Sequence, residues 1–373
     1  MKKFKFDTLI VSLLATLFGL VAGALLMLII GKNPIDGYWF ILKGGLGLGM
    51  PGLKRVGDTL AVATPLVLTG LSVVFAFRTG LFNIGAAGQM LFGGFCAVAV
   101  GLSVQGPQYI VVPIAVLAAI IGGAVWGIIP GLLKAFFNVH EVVSTIMMNW
   151  ISYWVVYYAV QTYFKGDFET ESRLLPAFAK LDLGWLTAIL GRSYINMGIF
   201  FAIIAVVIIA FILNKTVLGY ELKAVGFNRY AAEYAGISVN RNIIISMMIA
   251  GGLAGLAGAA QYIGNASSLQ IGVMPTQGFD GIAVALLGAN TPIGALLAAI
   301  FFGILYTGKG FMNANTSIPP EIADTIIATI IYFAATSILI QQGVNWMKKN
   351  GVKSIKGLIE FVKTRGKRGG KGE

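Results

Sequence analysis

The sequence predicts an all-α fold, a polytopic membrane helical bundle with about ten membrane segments including a short broken hairpin. Three observations predict it. The 373 residues are 57% hydrophobic and only 11% charged, with mean hydropathy +0.83, too little polar material to cover a water-soluble globule. The apolar residues come in blocks of about twenty, the length that crosses roughly 30 Å of hydrocarbon at about 1.5 Å per residue. The net charge of +12 gathers at the two ends: residues 343–373 hold nine Lys/Arg against Glu360 and Glu373, and Lys2, Lys3 and Lys5 face only Asp7. Basic clusters that flank spans lie in the cytoplasm by the positive-inside rule, so both termini are expected there. A nucleic-acid partner is not needed to explain them.

The first block, 8–30, is longer than a signal-peptide core and has no convincing small-residue cleavage site before Lys32, so it reads as an uncleaved anchor. A long first external loop follows, Gly-rich around Gly47, Gly49 and Gly52. Full spans are then expected at 59–77, 81–102, 109–133, 142–164, 194–213, 242–263 and 322–342. The stretch 279–308 differs, because Gly288, Asn290 and Pro292 interrupt it and leave arms of 11 and 17 residues. A single crossing there would put the basic tail outside, whereas a two-armed hairpin returns it to the cytoplasm. The hairpin is therefore expected, its short arms shielded from lipid by longer helices; a kinked packing helix is the alternative. Short, Gly/Pro-interrupted segments also point to a transport pathway.

Several motifs imitate chemistry. Residues 303–310 approach the phosphate-binding pattern GxxxxGK[ST], but Gly310 stands where a Mg²⁺-binding hydroxyl is required and the run ends a membrane helix. Gly47, Gly49 and Gly52 satisfy GxGxxG without a preceding strand. One cysteine, Cys96, and one histidine, His140, cannot assemble a Cys/His zinc site. Acidic residues are scattered singly, so neither a catalytic pair nor a metal site is expected, and the chain does not read as an enzyme. Gly123, Gly127 and Gly131, like Gly251 and Gly255, recur every four residues, a smooth ridge for close helix contact.

Polar residues inside spans must face the bundle interior or a cavity. Glu141, Thr145, Met148 and Ser152 fall on one stripe, with Ser144 and Asn149 at its edges, the leading candidate for a pathway wall. Asn83 and Gln89 add amides that donate and accept. Asp280 opens the hairpin and Asn290 sits at its bend. Each alone reads more readily as an interhelical hydrogen bond; several converging on a cavity would make a route. No carboxylate row threads the spans, so a small, neutral, polar solute fits better than a proton or ion.

The 28-residue connection 214–241 is expected on the cytoplasmic side, with Lys215, Lys223, Arg229 and Arg241 against Glu221 and Glu233. Within it, Asn228 is an N-cap and Gly236 a stop for a short helix over 228–235. In the tail, Val352, Ile355, Leu358, Ile359 and Val362 at helical spacing among lysines predict an amphipathic helix on anionic lipid.

Four runs then resemble one family. Phe82-Asn-Ile-Gly-Ala-Ala-Gly-Gln-Met90, His140-Glu-Val-Val-Ser-Thr-Ile-Met-Met-Asn149, the loop 226–237 and the hairpin start 278–288 are similar to membrane permease subunits of bacterial ABC importers. The branch is that of ribose, branched-chain amino-acid and nucleoside permeases, and the resemblance is strongest to the longer nucleoside permease. It covers about 59–342 and implies a permease domain over 1–342, followed by a basic cytoplasmic tail over 343–373. It further implies a bacterial cell-membrane location, a second permease subunit, a cytosolic ABC ATPase and an extracytoplasmic substrate-binding lipoprotein. No cofactor is expected on this chain, since ATP would bind the partner ATPase. By this resemblance Gly226, Asn228, Arg229, Tyr230, Ala231, Glu233, Tyr234, Gly236 and Ile237 form the coupling helix that docks on that ATPase. Asn83, Gln89, Glu141, Thr145, Asn149, Asp280 and Asn290 would line or gate the route. Nucleosides are the expected cargo, with ribose-like sugars or riboflavin as the alternative.

Overall fold

The computed structural model describes residues 2–49 and 52–336. Among them are α1 (Lys2–Ile29), α2 (Pro34–Leu46), α3 (Gly52–Arg78), α4 (Ala86–Ser103), α5 (Gln108–Phe137), α6 (Glu141–Ala159) and α7 (Gly184–Ile189). The chain continues through α8 (Gly198–Lys215), α9 (Val217–Phe227), α10 (Arg229–Tyr234), α11 (Val239–Ala259), α12 (Thr276–Leu287), α13 (Pro292–Thr316) and α14 (Glu321–Ala335). Two helices end in wider π-turns, α6 at Val160–Phe164 and α11 at Ala260–Asn265. The expected amphipathic tail helix lies outside the described residues.

Seven of these helices are long and apolar enough to cross a bilayer: α1, α3, α4, α5, α8, α13, and α11 with its π-turn. Helix α6 carries Ser144, Thr145, Asn149 and Ser152 on its buried side, which makes it less apolar, and only 15 residues of α14 are described.

Helix α11 is the centre of the bundle, and glycine is the reason it can be. A Cβ on Gly255 would lie 2.1 Å from the Ala119 carbonyl oxygen, and one on Gly123 would lie 2.2 Å from that of Gly251. Gly127 meets Met247 and Gly258 meets Met90 at comparable distances. The pairs 119/255, 123/251 and 127/247 run α5 antiparallel to α11, while 90/258 and 94/262 run α4 parallel to it. Small residues let backbones touch where lipid offers no hydrophobic drive to associate. The spacing of four that the sequence displays is thus a packing ridge.

The Gly-rich first loop is corrected: much of it is α2. Asn33 caps this helix by accepting from the Ile35 amide at 3.0 Å, Pro34 occupies its first turn, and Gly47 ends it at φ 68°. Gly44, Gly45 and Gly308 bring α2 onto α13, with Ile41 against Gly308 and Gly45 against Ile304. Thr59 then donates to the Gly45 carbonyl at 2.7 Å, stitching α2 to α3.

The expected break at 288–291 is present. Ala289 and Asn290 adopt φ of 53° and 51°, Thr291 caps the Gly294 amide at 3.1 Å, and Pro292 starts the next helix. The arms are unequal, however. Helix α12 has 12 residues, but α13 runs on for 25 because Thr307, Lys309 and Asn313 continue the helix past the apolar block. Other boundaries shift by a few residues: α4 starts at Ala86 instead of 81, and α8 at Gly198 instead of 194.

The bundle has two faces. On one, called upper here, Asp58 accepts from the Tyr194 amide at 2.9 Å and Asn265 donates to the Ala61 carbonyl at 2.9 Å. On the opposite, lower face lie the α3–α4 turn and the pair α9–α10, with Gly80 against Gly226.

The glycine contacts make a sharp expectation. Gly255→Val forces α11 away from α5 and should lower the thermal midpoint of the detergent-solubilised protein by several degrees or abolish its accumulation. Gly252→Ala, whose new Cβ would find ordinary contact with Ile120 at 3.4 Å, should be nearly neutral in the same melt.

Candidate functional site

The lower face is built around a helix held by its caps. Asn228 accepts from the amides of Tyr230 and Ala231 at 3.0 and 3.1 Å, and Gly236 at φ 79° stops the turn. The cap and the stop are where the sequence puts them, but the connection also contains α9, which sequence reading treated as loop. Ala232 is buried and Ile237 packs beside it, joining Ala76, Leu81, Val225 and Val239 in a small apolar cluster of their own. Ala231 and Glu233 point outward. So do Phe227, Tyr230 and Tyr234, which are 91%, 67% and 96% exposed. Arg229 lies 5.5 Å from the Tyr230 ring centroid and donates to Asn138 at 3.4 Å.

This knob sits on a turn. A Cβ on Gly226 would lie 2.4 Å from the Arg78 carbonyl oxygen, and Gly80 lies opposite in the left-handed region at φ 73°. Thr79 donates to Ser246 of α11 at 2.8 Å, so the turn grips both the knob and the central helix.

Immediately beyond the turn, four of the expected route residues meet. Asn83 donates to Gln89 at 2.9 Å and accepts from the Gly85 amide at 3.0 Å. Asn149 accepts from the Gly88 amide at 2.8 Å and donates to the Ile84 carbonyl at 3.1 Å. Thr145 back-bonds to Glu141, and Ser152 reaches Gly88 at 2.8 Å. All are buried. In this conformation the α6 stripe is a latch that fastens the start of α4.

The other three lie apart. Glu141 pairs with Lys134 at 2.8 Å at the lower end of α6. Asp280 accepts from the Tyr306 hydroxyl at 2.9 Å across the hairpin. Asn290 occupies the bend, its Oδ1 buried without a hydrogen-bond partner among the described residues.

A cleft of about 360 Å³ opens on the upper face, and none of these seven residues lines it. Its polar lining is Asp58, Tyr194, Gln261, Asn265, Gln277 and Thr307. Sequence reading missed them because Gln261 and Asn265 stand at the end of an apolar block, where polar residues are unremarkable, and the π-turn that redirects them has no periodic signature. Polar residues just before the broken hairpin were the available signal.

Among the described residues the chain is a helical apolar bundle with a broken hairpin, a polar cleft at one face and an aromatic knob at the other, an arrangement that fits a membrane permease. Residues 55–335 match the family described as branched-chain amino acid transport system / permease component. The chain belongs to this family of multi-pass membrane transport components, which are not enzymes. It is similar to the guanosine ABC transporter permease NupP of Bacillus subtilis, with 44% identity over 92% of this chain and 97% of that protein. It is also similar to the nucleoside ABC transporter permease NupB of Lactococcus lactis, with 40% identity over 89% and 92%. A second guanosine ABC transporter permease of the same B. subtilis strain, NupQ, aligns at 31% identity over 66% of this chain and 79% of its own length.

The latch predicts its own cost. Asn149→Ala strands the Gly88 amide and the Ile84 carbonyl in the interior, at about 1–3 kcal/mol for each unsatisfied group, so the thermal midpoint in detergent should fall by several degrees. Asn149→Asp keeps the acceptor toward Gly88 but sets a buried carboxylate against the Ile84 carbonyl, and should lose at least as much.

Proposed function

We propose that this chain is one of two permease subunits of an ATP-driven ABC importer that takes up nucleosides. The similarity to NupP and NupB across nearly the whole chain carries this reading. A second permease is supported by NupQ, a weaker relative from the organism that has NupP. ATP would be bound and hydrolysed by a separate cytosolic ATPase, because the nearest phosphate-binding pattern, 303–310, lies within helix α13 and not in a loop that could cradle phosphates. A substrate-binding lipoprotein would deliver cargo to the upper face.

In this reading the lower face is cytoplasmic and both termini lie there. The chain then has ten membrane segments, α1, α3, α4, α5, α6, α8, α11 and α14 as spans and α12 and α13 as the arms of the hairpin, with α2 as an additional re-entrant segment. Helix α10 and its flanks, from Gly226 to Ile237, are the coupling element. Three exposed aromatics on a capped helix give a partner apolar anchors, and the glycine seat on the α3–α4 turn passes the partner's motion into the bundle. Asn83, Gln89, Thr145 and Asn149 gate the route from that turn, with Glu141, Asp280 and Asn290 at its margins. Residues 1–342 form the permease domain and 343–373 a basic tail that holds the inner leaflet.

Two substitutions test the coupling. Tyr230→Glu together with Tyr234→Glu should leave folding and membrane level unchanged, yet abolish ATP-dependent uptake of labelled guanosine by the assembled transporter and release the ATPase on purification. Full uptake by this variant refutes the coupling role. Uptake that persists after ATP depletion refutes the ABC mechanism, and import of ribose or riboflavin without any nucleoside refutes the cargo.

A further inference from the structure

We propose that the upper cleft is the permease's own recognition site for a nucleoside, read by Tyr194, Gln261, Gln277 and Asp58. The inference rests on the importer reading above and adds the residues that select the cargo.

Three independent features converge on the cleft. Gln261 and Asn265 both belong to the π-turn Ala260–Asn265, a local widening frequent at functional sites, which redirects side chains out of helical register. Gln277 stands in the first turn of α12, the short arm of the broken hairpin, the kind of interrupted segment that forms substrate sites in transporters. Thr307, from α13, lines the same space with its hydroxyl buried and unpartnered among the described residues.

The side chains have unequal freedom, and that decides which can meet a ligand. Asn265 is committed, donating to Ala61 and accepting from Asn196 at 2.7 Å. Gln261 only accepts a long 3.4 Å contact from Asn265, leaving its amide NH₂ free. The Gln277 side chain has no hydrogen bond among the described residues; its backbone carbonyl is held by Thr69 at 2.9 Å, which fixes where the amide stands. Asp58 uses Oδ1 on the Tyr194 amide, and Oδ2 remains. The Tyr194 ring is 70% exposed beside the cleft.

These groups match a nucleoside part by part. An exposed tyrosine face stacks a heterocycle. Two primary amides can each donate and accept along a base edge. A carboxylate oxygen accepts from ribose hydroxyls. Ala61 and Val62 supply the apolar remainder, and about 360 Å³ falls in the usual range of small-molecule sites, ~300–1,000 Å³. The single charged lining residue is acidic, so a nucleotide's phosphate is repelled. Weak, few contacts also suit a site that must release what it binds.

The experiment uses the complete transporter in right-side-out membrane vesicles, with Cys96→Ala removing the native thiol and Gln277→Cys placing a reporter. Guanosine should slow modification by a membrane-impermeant maleimide at least fivefold, while guanosine monophosphate and glucose leave the rate unchanged. Gln261→Ala and Gln277→Ala, each removing about one neutral hydrogen bond, should each raise the KM for guanosine uptake about fivefold, with assembly and the maximal rate retained. Guanosine uptake without protection and with unchanged KM overturns the cleft assignment and leaves the importer reading intact. Protection by glucose equal to that by guanosine overturns recognition of the base. An unmodified complex that imports no nucleoside refutes the importer reading itself.

Discussion

The bare backbone contacts of α11 with α4 and α5 are the constraint on which the rest depends. In a bilayer, helices gain nothing by hiding apolar side chains from apolar lipid, so association rests on close packing and internal hydrogen bonds. Gly123, Gly251 and Gly255 provide that approach between α5 and α11, and Gly93 and Gly258 provide it between α4 and α11. Once α11 is fixed, its two ends are placed without further freedom. Ser246 near its lower end holds Thr79 of the α3–α4 turn. Its upper end unwinds into the π-turn that carries Gln261 and Asn265.

Much of this was legible where the signal was local. The α6 stripe, the Asn228 cap, the Gly236 stop and the break at 288–291 all follow from residue types within a few positions of one another. What could not be read depends on distant partners. Helix α2 is too short to look like a span, and its glycines look like a loop until Gly308 and Ile304 are brought against them. Asn83, Gln89 and Asn149 read as buried polar groups; Asn83 and Gln89 pair locally, but the bonds of Asn149 to the Gly88 amide and the Ile84 carbonyl require α4 and α6 to lie side by side. The sequence could say that these groups needed partners; only the packing says they find them around the start of α4 and leave the cleft to others.

That division of polar residues has a mechanical meaning for a permease. A fully satisfied buried cluster is costly to open, since each separated group loses about 1–3 kcal/mol if left unpaired. It is cheap to exchange when another donor or acceptor arrives at the same time. In the proposed importer the latch would therefore act as a barrier against leakage, opening when something replaces its bonds or a partner pulls on the turn that precedes it. Gly226 and Gly80 place the knob directly on that turn.

The cleft reaches the same latch from the other side. Gln277 lines the cleft, and its neighbour Gly278 lies so close to Ala87 that a Cβ would come within 2.2 Å of the Ala87 Cα. Ala87 lies between Asn83 and Gln89, and the next residue, Gly88, is the one Asn149 and Ser152 hold. With no side chain at position 278 to cushion it, displacement of the first turn of α12 is displacement of the start of α4. Thr69 pins that turn to α3 through the Gln277 carbonyl, so a ligand at Gln277 acts on an element already anchored on one side and free to push on the other. In the proposed importer, cargo above and a partner below would thus bear on the same few hydrogen bonds, either one straining the latch and both together releasing it most readily.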